Sequence, residues 1–143
     1  MLEGLDAQQR LFVVGHWSAA TLTERRLIRC DDVEVSIPVA RRLPLLACKL
    51  HAWLDRRDAR ADKRGSDGLD IVRLIETAQL DELAAGAAHN RELGQVVGWA
   101  AAAVLIDQSA RVSRMISLHT DTPPPGAERV ELLGSLLVDA INS

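Results

Sequence analysis

The sequence predicts an α+β fold, with a β-rich segment at residues 1–40 and a helical region at residues 41–143. Residues 33–37 (VEVSI) alternate between apolar and polar side chains, as a half-buried strand requires. From residue 45 onward, apolar side chains recur at spacings of three and four, which is the period of an amphipathic helix. One strong breaker, TPPPG at residues 122–126, interrupts this region. We therefore expect a single domain in which a short β region precedes a bundle of about five or six helices.

Length and composition are those of a soluble globular protein. The chain has 143 residues, of which 48% are hydrophobic and 26% are charged. A chain of this size buries roughly 68–70% of its unfolded surface and needs no disulfide. No apolar run reaches the ~18–20 residues of a membrane span, and residues 1–10 are acidic where a signal peptide would be basic. Cys30 and Cys48 lack the spacing of a zinc site. We expect a soluble, cytoplasmic protein.

Three short segments rich in Val, Ile and Leu predict strands in the first forty residues. They lie at residues 11–14, 25–30 and 33–39 and are separated by polar turns. Pro38 restricts the third strand to a sheet edge or to its own end, because proline has no N–H to donate.

The helical region divides at polar and capping residues. A helix is predicted from residue 45 to about 57, followed by a polar loop up to residue 68. Ser66 or Asp67 would cap a helix that ends near residue 78, Asp81 would cap a short helix, and Asn90 would cap a longer one through residue 106. Two more helices are predicted over residues 109–118 and 128–141.

A net charge of −3 conceals a basic segment. Residues 41–64 carry a net charge of +5, so the remainder carries −8. The cations of this segment are Arg41, Arg42, Lys49, Arg56, Arg57, Arg60, Lys63 and Arg64. A local basic patch on an acidic protein is typical of a phosphate-bearing ligand bound in one place. A solvated helix face with internal salt bridges has the same composition.

Within this segment, one lysine and two aspartates are candidate functional residues. Lys49 falls on the apolar side of its predicted helix, where a lysine either extends to water or is held over a phosphate. Asp67 and Asp70 are three residues apart and project from one helix face. If the three residues form a phosphate pocket, we expect them to cluster, with Lys49 within about 6 Å of Asp67 or Asp70. The alternative is structural: Asp67 as a cap, Asp70 as a partner of the helix dipole and Lys49 as a surface residue.

The same stretch carries a family resemblance. The chain reads KLHAWLDR at residues 49–56, then a basic loop, KRGSDGLDI at residues 63–71 and RL at residues 73–74. This combination resembles the C-terminal signature of the AbiEii/MenT-type nucleotidyltransferases, which are toxins of type IV-like toxin–antitoxin systems. The resemblance is close over residues 43–74 and looser in the flanking strand and helices.

The resemblance implies an activity and assigns roles to residues. It implies a fold like the C-terminal part of a minimal nucleotidyltransferase, and transfer of a nucleotide from an NTP to RNA (tRNA in related toxins) or to protein, with Mg²⁺ as cofactor. The catalytic residues would be Lys49, which contacts the triphosphate, Asp70, which positions or activates the acceptor, and Asp67, which orients its neighbours. The residues that would bind phosphate are Arg56, Arg57, Lys63 and Arg64.

The chain departs from the family in its first part. Family members begin with G-S and then D-x-D on a strand, whose aspartates hold Mg²⁺. Here the nearest sequence is Gly15-His16-Trp17-Ser18 followed by Asp32-Val33-Glu34. Either this is a degraded metal motif, or residues 33–39 match the family's later strand and the chain is an incomplete or split C-terminal half. We favour the second interpretation and assign no metal ligand.

The interpretation as a half-enzyme also implies partners. We expect an RNA acceptor, an antitoxin or N-terminal-half partner, and a homodimer or complex in which residues 94–106 are a candidate contact. The alternative is a non-catalytic helical interaction module that binds a partner protein or RNA through the basic loop. The sequence leaves open whether the chain is active.

Overall fold

The computed structural model describes residues 2–56 and 60–143, without the side chains of residues 61 and 62. The fold is α+β, as predicted: a two-stranded antiparallel hairpin is joined to a mostly helical body. The elements are α1 (Ala7–Thr21), β1 (Thr23–Cys30), β2 (Val33–Ala40), α2 (Arg42–Asp55), α3 (Ala61–Glu76), α4 (Leu80–His89), α5 (Arg91–Ala101), a π-helical turn (Ala102–Ile106), α6 (Ser109–Ser117) and α7 (Ala127–Asn142). Within the described residues, every helix is too short or too polar to cross a membrane.

The β-hairpin confirms two of the three predicted strands. β1 and β2 pair from Thr23 opposite Ala40 to Cys30 opposite Val33. The turn between them has Asp31 at a φ of 52°, a left-handed conformation that aspartate adopts more readily than most residues. Because the described sheet has only these two strands, β2 is an edge strand and accommodates its proline.

The strand predicted at residues 11–14 is wrong, because these residues lie inside α1. A short apolar run does not separate a strand from a buried helix segment. The deciding signal is a capping box at the start of the helix. The Asp6 carboxylate accepts from the Gln9 N–H at 2.8 Å, and the Gln9 amide oxygen accepts from the Asp6 N–H at 3.0 Å. These two bonds satisfy helix N-terminal donors reciprocally and direct the chain into α1.

The predicted loop up to residue 68 is also too long, because α3 begins at Ala61. Gly65 and Gly68, which favoured a loop in the sequence, lie inside α3 at positions where a neighbouring helix approaches closely. A Cβ at Gly65 would lie 2.5 Å from the Met115 carbonyl oxygen, and one at Gly68 would lie 3.0 Å from the Trp53 ring. Packing of α3 against α6 and α2 therefore outweighs the low helix propensity of glycine.

The capping predictions have mixed outcomes. Asp67 lies in the second turn of α3, so neither it nor Ser66 is the cap. Asp81 is in the first turn of α4, whose cap is Gln79. The cap of α5 is confirmed, because the Asn90 side chain accepts from the N–H of Leu93 at 3.1 Å.

The core surrounds α5, which packs against α1, α2, α4 and α7. Both the small and the branched residues of α5 are buried, including Val97, Ala100 and Ala101. The expectation that residues 94–106 contact another molecule is therefore wrong for most of this segment, because its apolar face is occupied by the protein's own helices. Trp99 is the large apolar side chain there that remains exposed.

A π-helical turn continues α5 at Ala102–Ile106. The N–H of Asp107 donates to the carbonyl of Ala102 at 3.0 Å, five residues back. The side-chain amide of Gln108 donates to the carbonyl of Ala103 at 3.1 Å. Such a turn accommodates one extra residue in the helix, and here it lies where α7 packs against the segment, with Gly134 facing Leu105.

Candidate functional site

The contact between α2 and α3 brings together the three residues that the sequence predicted as a cluster. Lys49 lies on α2, and Asp67 and Asp70 lie three residues apart on α3. The Nζ atom of Lys49 is 2.8 Å from Oδ2 of Asp70 and 3.6 Å from Oδ1 of Asp67. The expected proximity, within about 6 Å, is confirmed. The functional roles of the three residues stay a prediction.

The carboxylates hold the Lys49 amine in its charged form. The hydrogen bond to Asp70 raises the pKa of Lys49, the charge of Asp67 adds to this, and partial burial opposes it. An ammonium group has three N–H donors. One of them is within hydrogen-bond distance of Asp70 at 2.8 Å, whereas the 3.6 Å separation from Asp67 is that of an ion pair. Because the Lys49 side chain is 32% exposed, its other donors can reach solvent or a ligand.

Asp67 is the buried centre of the cluster. Its side chain is 6% exposed and receives a second cation, because Nε of Arg56 donates to its Oδ2 at 3.0 Å. A carboxylate in this setting is stable only when it is paired and hydrogen-bonded. Asp67 therefore fixes the position of Lys49 on one side and of Arg56 on the other.

A shallow groove of about 260 Å³ runs beside Lys49 between α2 and α3. Its lining residues are Leu45, Lys49, Asp70, Arg73, Leu74 and Thr77. Nη1 of Arg42 donates to the Thr77 hydroxyl at 2.8 Å, which adds a third cation near the groove. Sequence reasoning missed Arg73 and Thr77, although their spacing of three and then four residues from Asp70 places them on the same helix face.

A larger cavity of about 600 Å³ lies at the base of the hairpin. Its lining includes Arg41, Arg42, Glu24 and Glu82, and Arg42 pairs with Glu82 at 3.6 Å. These four charges balance, whereas the cations of the smaller groove outnumber its carboxylate. The groove between α2 and α3 is therefore the better candidate for an anionic ligand.

The predicted phosphate-binding residues have different environments. Arg56 pairs with Asp67, and Lys63 is exposed in the first turn of α3. Arg64 is buried, with its guanidinium 5.5 Å from the centroid of the Trp53 ring, and donates to the Arg56 carbonyl. Arg57 lies outside the described residues. Thus the structure brings Arg56 to the carboxylates and directs Arg64 into the interior.

The described side chains do not form a set of Mg²⁺ ligands, and no group of three or more His, Cys, Asp or Glu residues is close enough there to hold a metal. Asp67 and Asp70 already bind cationic side chains. At the hairpin tip, Asp32 is exposed and Glu34 pairs with Arg29. The described residues therefore do not fit the magnesium ion that the resemblance implies.

Other titratable groups near the cluster do not extend it. Burial raises the pKa of the Cys48 thiol despite the adjacent Lys49, so the thiol stays protonated at neutral pH. Burial lowers the pKa of His51, whose ring lies 5.8 Å from that of His16 between centroids. The His51 ring therefore contributes packing rather than charge at neutral pH.

The sequence matches no family model and no curated protein, and the structure matches no solved structure. The function is therefore inferred from the cluster itself.

Proposed function

We propose that this chain is the nucleotide-binding part of a nucleotidyltransferase-like protein of the AbiEii/MenT type, and that the groove between α2 and α3 receives the phosphates of an NTP. The supporting observation is the position of Lys49. Two carboxylates from α3 hold its amine, one by a 2.8 Å contact and one by a 3.6 Å ion pair, beside a groove that Arg73 also lines. An oriented ammonium group is a common ligand of phosphate oxygens.

In the proposed reaction, an acceptor hydroxyl of an RNA such as tRNA, or of a protein, attacks the α-phosphorus of the NTP. The bond from this phosphorus to the bridging oxygen breaks, and pyrophosphate leaves. Lys49 would offset the charge of the phosphate oxygens, and Arg73 would bind the outer phosphates. Asp70, whose side chain is 42% exposed, would accept the proton of the attacking hydroxyl. Asp67 would hold Lys49 in position.

We propose that the chain binds a nucleotide alone but transfers it only in a complex. The described residues supply the lysine, the arginines and one exposed aspartate, but they supply no set of metal ligands. A partner with the missing carboxylates would complete the site. This is the incomplete or split form of the enzyme that the sequence suggested.

The second candidate is a non-catalytic helical interaction module. It is favoured because the charged side chains of the cluster already pair with one another. Asp67 pairs with Lys49 and Arg56 and links α2 to α3 whether or not a ligand binds. In that case Lys49 is part of an ion-pair network with a structural role. Nucleotide binding separates the two candidates.

The test is isothermal titration of the purified chain with ATP, GTP, CTP and UTP. We expect at least one NTP to bind, and Lys49→Ala to weaken its binding by about tenfold or more, because a charge-assisted contact to phosphate is lost. Arg73→Ala should weaken the same NTP by a smaller factor. Arg91→Ala is the matched control, since Arg91 is an exposed cation at the start of α5 that does not line the groove.

Two results would overturn the proposal. One is the absence of binding by all four NTPs at millimolar concentration. The other is equal affinity of the wild type and Lys49→Ala, with both folded by circular dichroism. Either result would leave the structural role of the cluster as the better explanation.

A further inference from the structure

Two histidine rings meet across the contact between α1 and α2. His16 lies on α1 and His51 lies on α2, and their ring centroids are 5.8 Å apart. Because His51 follows Lys49 by two residues, or about 200° around the helix axis, it lies on the other side of α2 from the groove that Lys49 lines. The histidine pair is therefore separate from the site described above.

The packing of the two helices holds both rings in place. A Cβ at Gly15 would lie 3.1 Å from the Cβ of Ala47. The first of these residues directly precedes His16, and the second lies one turn before His51. The ring of Phe12 packs on both imidazoles, with centroid distances of 4.5 Å and 5.0 Å. Because packed helices leave little room for either to shift, the separation of the two imidazoles is set by the fold.

Hydrogen bonding leaves ring nitrogens of both histidines available to a ligand. Nδ1 of His16 lies 2.8 Å from the carbonyl oxygen of Phe12. A carbonyl only accepts, so Nδ1 carries the proton, and the neutral ring has its lone pair on Nε2. Histidines that bind metals typically donate one N–H to such an acceptor and bind the ion through the other nitrogen. Within the described residues, the ring of His51 has aromatic contacts but no hydrogen-bond partner.

The distance between the rings fits a shared metal ion. A Zn–N bond is about 2.0–2.1 Å long, which puts the ion about 3.2 Å from the centroid of each ring that binds it. Two rings at a tetrahedral angle then have centroids about 5.2 Å apart, and a linear arrangement extends this to about 6.4 Å. The observed separation of 5.8 Å lies between these values. The helices therefore need not move for both rings to bind one ion.

The surface beside His51 favours a cation. A groove of about 610 Å³ adjoins it, and the described lining of this groove contains two carboxylates, Asp6 and Asp55, but no lysine or arginine. Asp55 lies one turn after His51 on the same face of α2, and its negative charge acts on the His51 ring. Carboxylates without opposing cations raise the local concentration of positive ions.

We propose that His16 and His51 bind one divalent transition-metal ion, of which Zn²⁺ is the type, with water completing its coordination and Asp55 offsetting its charge. Imidazole nitrogen suits Zn²⁺, Ni²⁺ and Cu²⁺, whereas Mg²⁺ and Ca²⁺ prefer oxygen ligands. The described side chains contain no preformed set of three metal ligands, so the ion would keep open positions. It would join α1 to α2 and stabilise the folded chain. The inference does not depend on nucleotide binding.

The test is titration of the untagged full chain with Zn²⁺ at neutral pH, followed by NMR of the ring signals of its four histidines. We expect the signals of His16 and His51 to shift at Zn²⁺ concentrations below about 1 mM. The signals of His89 and His119, which are exposed and lie outside the pair, should stay in place. Mg²⁺ at the same concentration should shift none of the four, because it prefers oxygen ligands.

Calorimetry of variants gives a second readout. His16→Ala should weaken Zn²⁺ binding by about tenfold or more, because one of two protein ligands is lost. His16 is exposed, so this variant should fold. Asp55→Asn should weaken binding by a smaller factor. His119→Ala is the matched control and should retain binding, as should Cys48→Ser, which removes the thiol nearest to His51 along α2.

Four results would overturn the proposal. One is the absence of histidine shifts at about millimolar Zn²⁺, and another is equal affinity of the wild type and folded His16→Ala. A third is loss of binding in Cys48→Ser, which would make the thiol the ligand. The fourth is a stoichiometry of one ion per two chains, which would place the ion between copies. The first two results would leave packing on Phe12 as the role of the histidine pair.

Discussion

The Nζ atom of Lys49 lies 2.8 Å from Oδ2 of Asp70 and joins α2 to α3. Both side chains are partly exposed, and pairs of this kind typically contribute only about 0–1 kcal/mol to stability. The contact therefore contributes little to stability, but it fixes the position of the charged Lys49 amine at the edge of the groove. Its presence in solution can be tested through the chemical reactivity of that amine.

Lys49 and Lys63 are the only lysines in the sequence, so their reactivities can be compared directly. Acetylation requires the neutral amine, and the hydrogen bond to Asp70 raises the pKa of Lys49. We expect a short acetylation pulse at pH 8.5 to modify Lys63 faster than Lys49, as measured by mass spectrometry of the peptides. Asp70→Asn should reduce the difference. Equal rates in the wild type would show that the ion pair does not persist in solution.

The two aspartates should differ in their effect on stability. Asp67→Asn removes a buried carboxylate from two cations, and we expect a loss of about 3 kcal/mol in the free energy of unfolding, the low end of the range for buried pairs, because the cations are partly exposed. Asp70→Asn should cost less than about 1 kcal/mol. Urea unfolding measures both. Similar losses for the two variants would contradict the assignment of Asp67 as the centre of the cluster.

Gly65 should not tolerate a larger side chain. Its Cβ would meet the backbone oxygen of Met115 at 2.5 Å, and a backbone atom cannot move aside cheaply. We expect Gly65→Ala to destabilise the protein by about 1–3 kcal/mol. Gly98→Ala is the matched control, because its nearest neighbour is a methyl group of Ile141 at 3.7 Å. That variant should be neutral or up to about 1 kcal/mol more stable, since alanine favours a helix. Thermal unfolding of both variants decides the comparison.

His51 should contribute to acid sensitivity. Burial lowers its pKa from the usual value of 6.5, although the charge of Asp55 opposes this. The unfolded chain therefore takes up this proton at a higher pH than the folded chain. The contribution of His51 to stability is present above pH 6.5 and is lost as the pH falls through its folded pKa. We expect His51→Gln to flatten the stability profile between about pH 7 and 5. An unchanged slope in urea unfolding would exclude His51 as a contributor.

The purified chain alone should show no Mg²⁺-dependent nucleotide transfer to tRNA, because its described residues provide no metal-ligand set. The measurement is incorporation of radiolabelled nucleotide into tRNA with each of the four NTPs. Incorporation that Lys49→Ala abolishes would contradict this expectation. It would also identify Asp32 and Glu34 as the first candidates for metal ligands.

The hairpin and the later helices could be predicted from sequence because local signals decide them. Alternation in β2 and the Asn90 cap act over a few residues, and both the strand and the cap are present in the structure. The half-burial that the alternation predicts is wrong, because Val33 and Val35 are exposed. The start of α3 could not be predicted in this way. Gly65 and Gly68 indicate a loop by propensity, and only their contacts with α6 and α2 explain the helix.

The candidate site was only partly predictable. The proximity of Lys49 to Asp67 and Asp70 followed from a motif and a helical spacing, although they lie on separate helices. The burial of Arg64 did not follow, because it depends on the position of Trp53 on the neighbouring helix. The position of Arg73 in the groove could not be predicted either, because the sequence does not show which face of α3 lines the groove.

The π-helical turn after α5 makes the fold sensitive to the number of residues in this segment. One extra residue in a helix rotates all later side chains by about 100° around the axis. Before the turn, α5 packs against α1 and α2, and within the turn the segment packs mainly against α7. A single continuous rod therefore presents apolar faces in two directions. A one-residue deletion in residues 102–106 would therefore rotate one half of the rod away from its partners, whereas a substitution there leaves the direction of both faces unchanged.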